Sequence, residues 1–196
     1  KSCGIPKHDI IVVIGDKGDA WSEENKERVK KIHDNLIINT ENVSKNQSYS
    51  FWLALQTIDD SVICVDGDTL FDGIIVKELI KNKNKSILPF RKARENDPRR
   101  KILVVGNRVV KIAKDVLSEK IYTPLIKLDR ALVGGLKQEL ESGTYFNETL
   151  EIAINKVCDR FVISVLPLEP LGNANRPLIL NINTPEEYAF AQKLFG

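Results

Sequence analysis

The chain has 196 residues, 42% of them hydrophobic and 29% charged, proportions that suit a globular protein with a real core in one domain, residues 1–196. Twenty-nine Lys and Arg against 27 Asp and Glu leave a net charge of +2, which removes the basic excess that would argue for nucleic acid or an anionic membrane surface as partner. The three cysteines Cys3, Cys64 and Cys158 are far apart, so neither a disulfide framework nor a paired-cysteine zinc site is indicated.

Cys64 lies in the apolar run Ser61–Val65 and reads as a buried, inert thiol. The cysteine usage points to a reduced, cytoplasmic compartment. No apolar stretch exceeds a strand's length, so no membrane span is expected, and no signal peptide is read. The chain has no methionine, and Lys1-Ser2-Cys3-Gly4 reads as the tail of a helix with a Gly cap. The expectation is that it begins after the natural start, having lost at least a strand, a loop and part of a helix.

In chain order, Asp9 to Gly15 is an apolar run of the kind buried on both faces of a parallel sheet, and Asp16 to Asp19 is a turn. Ser22 to Asp34 predicts a polar helix with Ser22 as N-cap and Glu23 and Glu24 in its first turn. Leu36–Asn39 predicts a short strand, Ser48 to Ile58 a helix with a buried face carrying Tyr49, Phe51 and Trp52, and Ser61 to Val65 a buried strand. Phe71 to Asn82 reads as helical. This alternation is the rhythm of right-handed crossovers onto a parallel sheet.

The second half changes character. Ser86 to Phe90 is a strand, and Arg91 to Arg100 a charged loop. Residues 102–105 and 109–112 flank Gly106-Asn107 as a hairpin with the preferred Asn-Gly order reversed. Lys120 to Leu128 predicts a strand, Asp129 to Ser142 and Asn147 to Asp159 predict helices, and Phe161 to Leu168 and Pro177 to Ile182 predict strands. The last helix begins at Thr184 or Pro185, with Thr184 and Glu187 spaced as a capping box. The fold class is α/β, a three-layer α-β-α arrangement with a mostly parallel Rossmann-like sheet and an antiparallel addition.

The clearest chemistry is at Asp66-Gly67-Asp68. Two carboxylates flank a Gly beyond the carboxyl end of an apolar strand, where ligands bind in open α/β sheets. If the chain stays extended, alternation points both to one side, where they repel unless a cation neutralises them. Hard oxygen donors at this spacing suit Mg2+ or Mn2+ carrying nucleotide phosphates. The same residues are equally good turn formers, and Asp68 or Thr69 can cap the next helix instead.

Asn181 and Asn183 share a face at a strand's end before a helix N-terminus, which attracts anions, or else Asn183-Thr184-Pro185 only shapes the turn. Lys111 and Lys114 on the hairpin's second strand suit phosphate or belong to a solvated face. Tyr49, Phe51 and Trp52 read as core, and His8 and His33 as ordinary surface residues. No Ser-His-Asp set, Cys-His pair or H-E-x-x-H is present.

Taken together these motifs resemble the nucleotidyltransferase superfamily that activates sugar, polyol and cofactor phosphates with a nucleoside triphosphate. Gly4-Ile5 with the strand Ile10–Gly15 resembles its second strand, and Asn46-Gln47-Ser48-Tyr49-Ser50-Phe51-Trp52 its base-side segment. Val65-Asp66-Gly67-Asp68 resembles the metal loop. Val109 to Lys114 resembles a stretch of sugar, inositol and choline phosphate members, and Asn183-Thr184-Pro185-Glu186-Glu187 the "D/N-T-P-E-D" helix start.

The resemblance implies the nucleotide-diphospho-sugar transferase fold. It implies Asp66, Asp68 and Asn183 as ligands of Mg2+ or Mn2+. Asn46, Gln47, Ser48 and Asp66 become nucleotide-binding residues, and Lys111 and Lys114 catalytic ones. Asn183 stands where most sugar-type members have Asp, and Asn-x-Asn-Thr-Pro is similar to molybdenum cofactor guanylyltransferases. The superfamily's Gly-rich loop would sit before Lys1.

The implied partners are a nucleoside triphosphate and a small phosphorylated substrate, with no nucleic acid and a homo-oligomer left open. The implied reaction transfers a nucleoside monophosphate, CMP favoured, to a sugar-, polyol- or aminoalkyl-phosphate or phosphonate with release of pyrophosphate. A molybdenum cofactor guanylyltransferase-like enzyme, a metal-dependent glycosyltransferase of the related fold and a catalytically inactive binding domain are the alternatives.

Overall fold

The computed structural model describes residues 4–82, 85–94, 97–172 and 177–195. Lys1–Cys3, expected as a helix tail, lie outside the described residues. The chain divides into two compact units, one of Ser61–Asp129 and Cys158–Gly196, the other of Ser2–Asp60 and Arg130–Val157.

In the second of these, β1 (Val12–Gly15) pairs in parallel with β2 (Leu36–Asn39), Val12 opposite Leu36. Between them runs α1 (Glu23–Lys30), whose N-cap Ser22 accepts from the Asn25 N–H. Next comes α2 (Gln47–Leu55), with α4 (Arg130–Glu141) and α5 (Leu150–Val157) from the later segment. The helix α2 packs on α4, α5 and both strands, because Leu55, Leu132, Leu136, Leu140 and Ile154 turn inward and are buried. Burying such aliphatic side chains is the main term holding the helices in place.

Tyr49 stacks on Trp52, and Phe146 meets Tyr49 edge-on and Trp52 at a tilt, with centroids 4.8–5.7 Å apart, so Tyr49 and Trp52 form a half-buried aromatic cluster. His33 departs from its expectation as an ordinary surface residue. Its Nδ1 is buried without a hydrogen-bond partner among the described residues.

The other unit holds β3 (Val62–Val65), β4 (Thr69–Phe71), α3 (Gly73–Lys81), β5 (Ser86–Lys92), β6 (Lys101–Val105), β7 (Arg108–Ala113), β8 (Lys120–Tyr122), β9 (Leu125–Leu128), β10 (Ile163–Pro167), β11 (Ile179–Asn181) and α6 (Pro185–Phe195). A seven-stranded sheet runs β10-β7-β6-β8-β5-β9-β3, and β10 also pairs with β5. The strands β5, β8, β6, β7 and β10 therefore close into a ring. Closure leaves those strands no open edge and forces the register to stagger around it.

The expectation of a mostly parallel sheet is corrected here. Among the described residues of this unit only β5 and β10 run parallel, while β3, β6, β7, β8 and β9 pair antiparallel. An apolar run marks a buried strand but carries no direction, so the second half was open to antiparallel pairing. The result is a mixed α/β fold.

The strand expected over Lys120 to Leu128 is two strands, broken at Thr123-Pro124, where Pro offers no N–H and the Thr123 hydroxyl donates to Pro89 O at 2.6 Å. The Gly106-Asn107 hairpin forms, with Gly106 at φ +60, a value Gly adopts freely. The core gathers Ile75 and Leu79 of α3 with Ile87, Leu125, Leu168 and Ile179. No helix among the described residues is long and apolar enough to cross a membrane.

Candidate functional site

The strand β3 ends at Val65, and the Asp66 N–H donates to Pro124 O at 3.0 Å. Thr69 N–H then donates to Asp66 O at 3.1 Å, so Asp66 to Thr69 is a turn and the chain does not stay extended. Strand alternation therefore does not orient the two carboxylates. They belong to one reversal whose far arm is β4.

That arm is fixed from another part of the sequence. The strand β11 pairs antiparallel with β4, setting Asn181 opposite Thr69, and the Ile182 N–H donates to Asp68 O at 2.8 Å. Across this ladder the Asn181 side-chain amide donates to Asp68 Oδ1 at 2.7 Å and to Thr69 Oγ1 at 3.2 Å. Asn183 donates its own amide to Asn181 Oδ1. Asp68 and Asn183, predicted from distant segments, thus lie in one hydrogen-bonded chain, with Asp66 at the other end of the turn.

Neither acidic residue caps the following helix. That place is taken by Asp72, whose Oδ1 accepts from the Ile74 N–H at 3.0 Å. At α6 the Glu187 N–H donates to Thr184 Oγ1 at 3.2 Å, as the spacing predicts. The return bond differs from a standard capping box, because Glu187 Oε2 accepts from the Asn183 N–H at 2.6 Å. Arg99 lies 3.8 Å from Glu187 Oε1. The backbone N–H of Glu186 itself, and then the Thr184 hydroxyl, hold the Glu186 carboxyl below its ordinary value.

The side chains tied together here, Asp68 with Asn181 and Asn183, carry hard oxygen donors of the kind that Mg2+ or Mn2+ takes. Among the described residues no group of three His, Cys, Asp or Glu converges, so a cation here would rest on the carboxylates of the turn together with amide oxygens. Next to the turn, burial pushes the Cys64 thiol up to about 12, with the Asp66 charge adding to it. The thiol is neutral and unreactive, as its place in an apolar run suggested.

Lys111 is exposed on β7, with Asp115 Oδ1 at 3.7 Å. Lys114 lies one residue past the end of that strand and is also exposed. The register sets Lys111 opposite Leu103 and Ala113 opposite Lys101, so Lys101 is the diagonal neighbour of Lys111 on the same face.

In the other unit, Asn46 is the exposed N-cap of α2 and accepts from the Gln47 N–H at 2.7 Å. Gln47 Oε1 accepts from the Leu150 N–H at 3.0 Å, at the first turn of α5. Ser48 is buried, its N–H donating to Glu148 O at 3.1 Å and its hydroxyl without a partner among the described residues.

Two features differ from what the sequence suggests. The i, i+2 spacing of Asn181 and Asn183 at a strand end suggests two amide oxygens as neutral metal ligands, whereas the Asn181 oxygen accepts from Asn183 and its nitrogen donates to Asp68. Lys26, buried in α1 between Asp16 and Glu23, sits in a helix whose sequence is uniformly polar and carries no signal of this burial.

No family model matches the chain, and no curated protein does. Solved structures do. The inositol-1-phosphate CTP transferase from T. maritima aligns with a TM-score of 0.70 at 21% identity, over 94% of this chain and 76% of that one. The CTP:phosphocholine cytidylyltransferase from Streptococcus pneumoniae aligns with a TM-score of 0.71 at 16% identity, over 96% and 78%. A putative glucose-1-phosphate thymidylyltransferase from Bacillus anthracis aligns with a TM-score of 0.69 at 12% identity, over 94% and 74%. At these identities the likeness is one of architecture, and this chain has the fold of the nucleotidyltransferases.

Proposed function

We propose that this chain is a metal-dependent nucleotidyltransferase. It transfers a nucleoside monophosphate, CMP by preference, from a nucleoside triphosphate to a sugar-, polyol- or aminoalkyl-phosphate or phosphonate, and releases pyrophosphate. One observation carries the reading: the Asp66–Asp68 turn at the end of β3 caps no helix and is tied through Asn181 to Asn183, in a chain with the nucleotidyltransferase fold. Two of the structures it resembles are those of a CTP transferase and a cytidylyltransferase, which supports CMP.

In this reading the chain is a single cytoplasmic domain over residues 1–196 with the three-layer form of the fold. Asp66, Asp68 and Asn183 hold Mg2+ or Mn2+, and Asp66 also faces the nucleotide. Asn46, Gln47 and Ser48 are the nucleotide residues of their own unit. Lys111 and Lys114 hold phosphate charge.

The reaction is an in-line attack of an acceptor phosphate oxygen on the α-phosphorus, with pyrophosphate leaving. The cation supplies charge neutralisation on the phosphates when bound. The lysines add to it at the phosphoryl oxygens, and positioning supplies most of the remaining rate. No side-chain nucleophile is required.

The test incubates the protein with Mg2+, each nucleoside triphosphate and a panel of sugar, polyol and aminoalkyl phosphates, molybdopterin included, and in parallel with nucleotide-activated sugars. Acceptor-dependent pyrophosphate release is expected, and the acceptor used separates a guanylyltransferase of the molybdenum cofactor type from the rest. Transfer from an activated sugar instead makes it a glycosyltransferase, and silence across the panel makes it a binding domain. Either result overturns the proposal.

A further inference from the structure

We infer that Asn181 is a positioning residue of the cation site, acting through Asp68, and that its amide stands in for the cation when none is bound. The inference rests on the reading of Asp68 as a metal ligand given above. Asp68 is exposed, yet its Oδ1 is held by the Asn181 amide at 2.7 Å. That amide cannot turn over, because its oxygen accepts from Asn183 and its nitrogen also reaches Thr69 Oγ1 at 3.2 Å. The register pair Thr69 with Asn181 fixes the distance.

Two consequences follow from the chemistry of an amide at this place. It offers Asp68 a donor with no net charge, so the turn between β3 and β4 stays joined to β11 without metal. A carboxylate at the same place would repel Asp68 unless a cation lay between them. The amide also occupies one carboxylate oxygen. Among the described residues no bond is made to Asp68 Oδ2 or Asn183 Oδ1, so on these two of the proposed ligands they are the atoms left for the ion. Outer partners of this kind orient a ligand and tune its affinity.

The experiment measures Mn2+ binding by electron paramagnetic resonance of the free ion, and thermal unfolding in chelator and in Mn2+. It compares the unmodified protein with Asn181→Asp, Asn181→Leu and Asp68→Ala. Asn181→Asp is expected to lower the melting temperature in chelator by roughly 4 °C, to regain it in Mn2+, and to bind Mn2+ about tenfold more tightly as the site gains a charge. Asn181→Leu is expected to bind Mn2+ about tenfold more weakly.

If Asn181→Asp matches the unmodified protein in both measurements while Asp68→Ala loses Mn2+ binding, the role of Asn181 is wrong and the metal site stands. If the unmodified protein binds no Mn2+, or binds it equally well as Asp68→Ala, the metal site falls and this inference with it.

Discussion

The Lys26 Nζ lies 2.7 Å from Asp16 Oδ1 and 2.8 Å from Glu23 Oε1, with only 6% of the lysine side chain exposed. A polar helix thereby anchors itself to the end of β1 through a charge that it buries. The hydrogen bond to Lys26 holds the Asp16 carboxyl below its ordinary value. The bond to Asp16, then that to Glu23, raises the Lys26 ammonium above its own.

The pair makes stability depend on pH at both ends. Asp16 is depressed in the folded state, so its contribution is complete above about pH 4, the unfolded carboxylate range, and is lost as pH falls through the lower folded value. Lys26 is raised, so its contribution is complete below about pH 10 and is lost as pH rises through the higher folded value. Urea unfolding of Lys26→Met from pH 2 to 11 is expected to show a lower midpoint than the unmodified protein at neutral pH. The difference should shrink toward both extremes. A constant difference across the range would show that the lysine acts by packing alone.

Gly15 is where β1 gives way to this same pair. A Cβ there would stand 2.6 Å from the Trp21 ring and from the Asn42 amide, and Asn42 holds the turn by accepting from the N–H groups of Asp16 and Lys17. Overpacking of this kind costs about 1–3 kcal/mol. Gly15→Ala should lose that much in urea unfolding and shift the Trp21 fluorescence. An unchanged midpoint would mean that the ring moves aside freely.

Lys111 separates stability from activity. Its partner Asp115 is exposed at 3.7 Å, and surface pairs contribute about 1 kcal/mol or less. Lys111→Gln is expected to leave the melting temperature in place while kcat/KM falls by about a hundredfold, the scale of one lost charge-stabilising donor. Equal activity would return Lys111 to the solvated face that its sequence context also allowed.

Much of this architecture can be read from local pattern, and the limits fall where pattern stops being local. The span Leu36–Asn39 is recovered as predicted, because a short apolar run between polar segments has one way to be a strand. The Gly106 hairpin and the Thr184–Glu187 cap are likewise local chemistry. Strand direction is not local. Leu125–Leu128 runs antiparallel to Val62–Val65, and nothing in either run says so. The site shows the same division. Asp66 and Asp68 are legible as carboxylates at a strand's end and as turn formers, but the tie to Asn181, 113 positions away, exists only once β11 lies on β4.

The account stands on Asp68 holding the cation that carries the nucleotide. Titration of CTP in Mg2+ and in chelator, on the unmodified protein and on Asp68→Ala with its fold checked by circular dichroism, tests this most directly. The account predicts Mg2+-dependent CTP binding that weakens by about tenfold or more in a folded Asp68→Ala. If Asp68→Ala unfolds instead, while its folded fraction binds CTP with unchanged affinity, Asp68 is a structural turn residue and the enzymatic reading is contradicted.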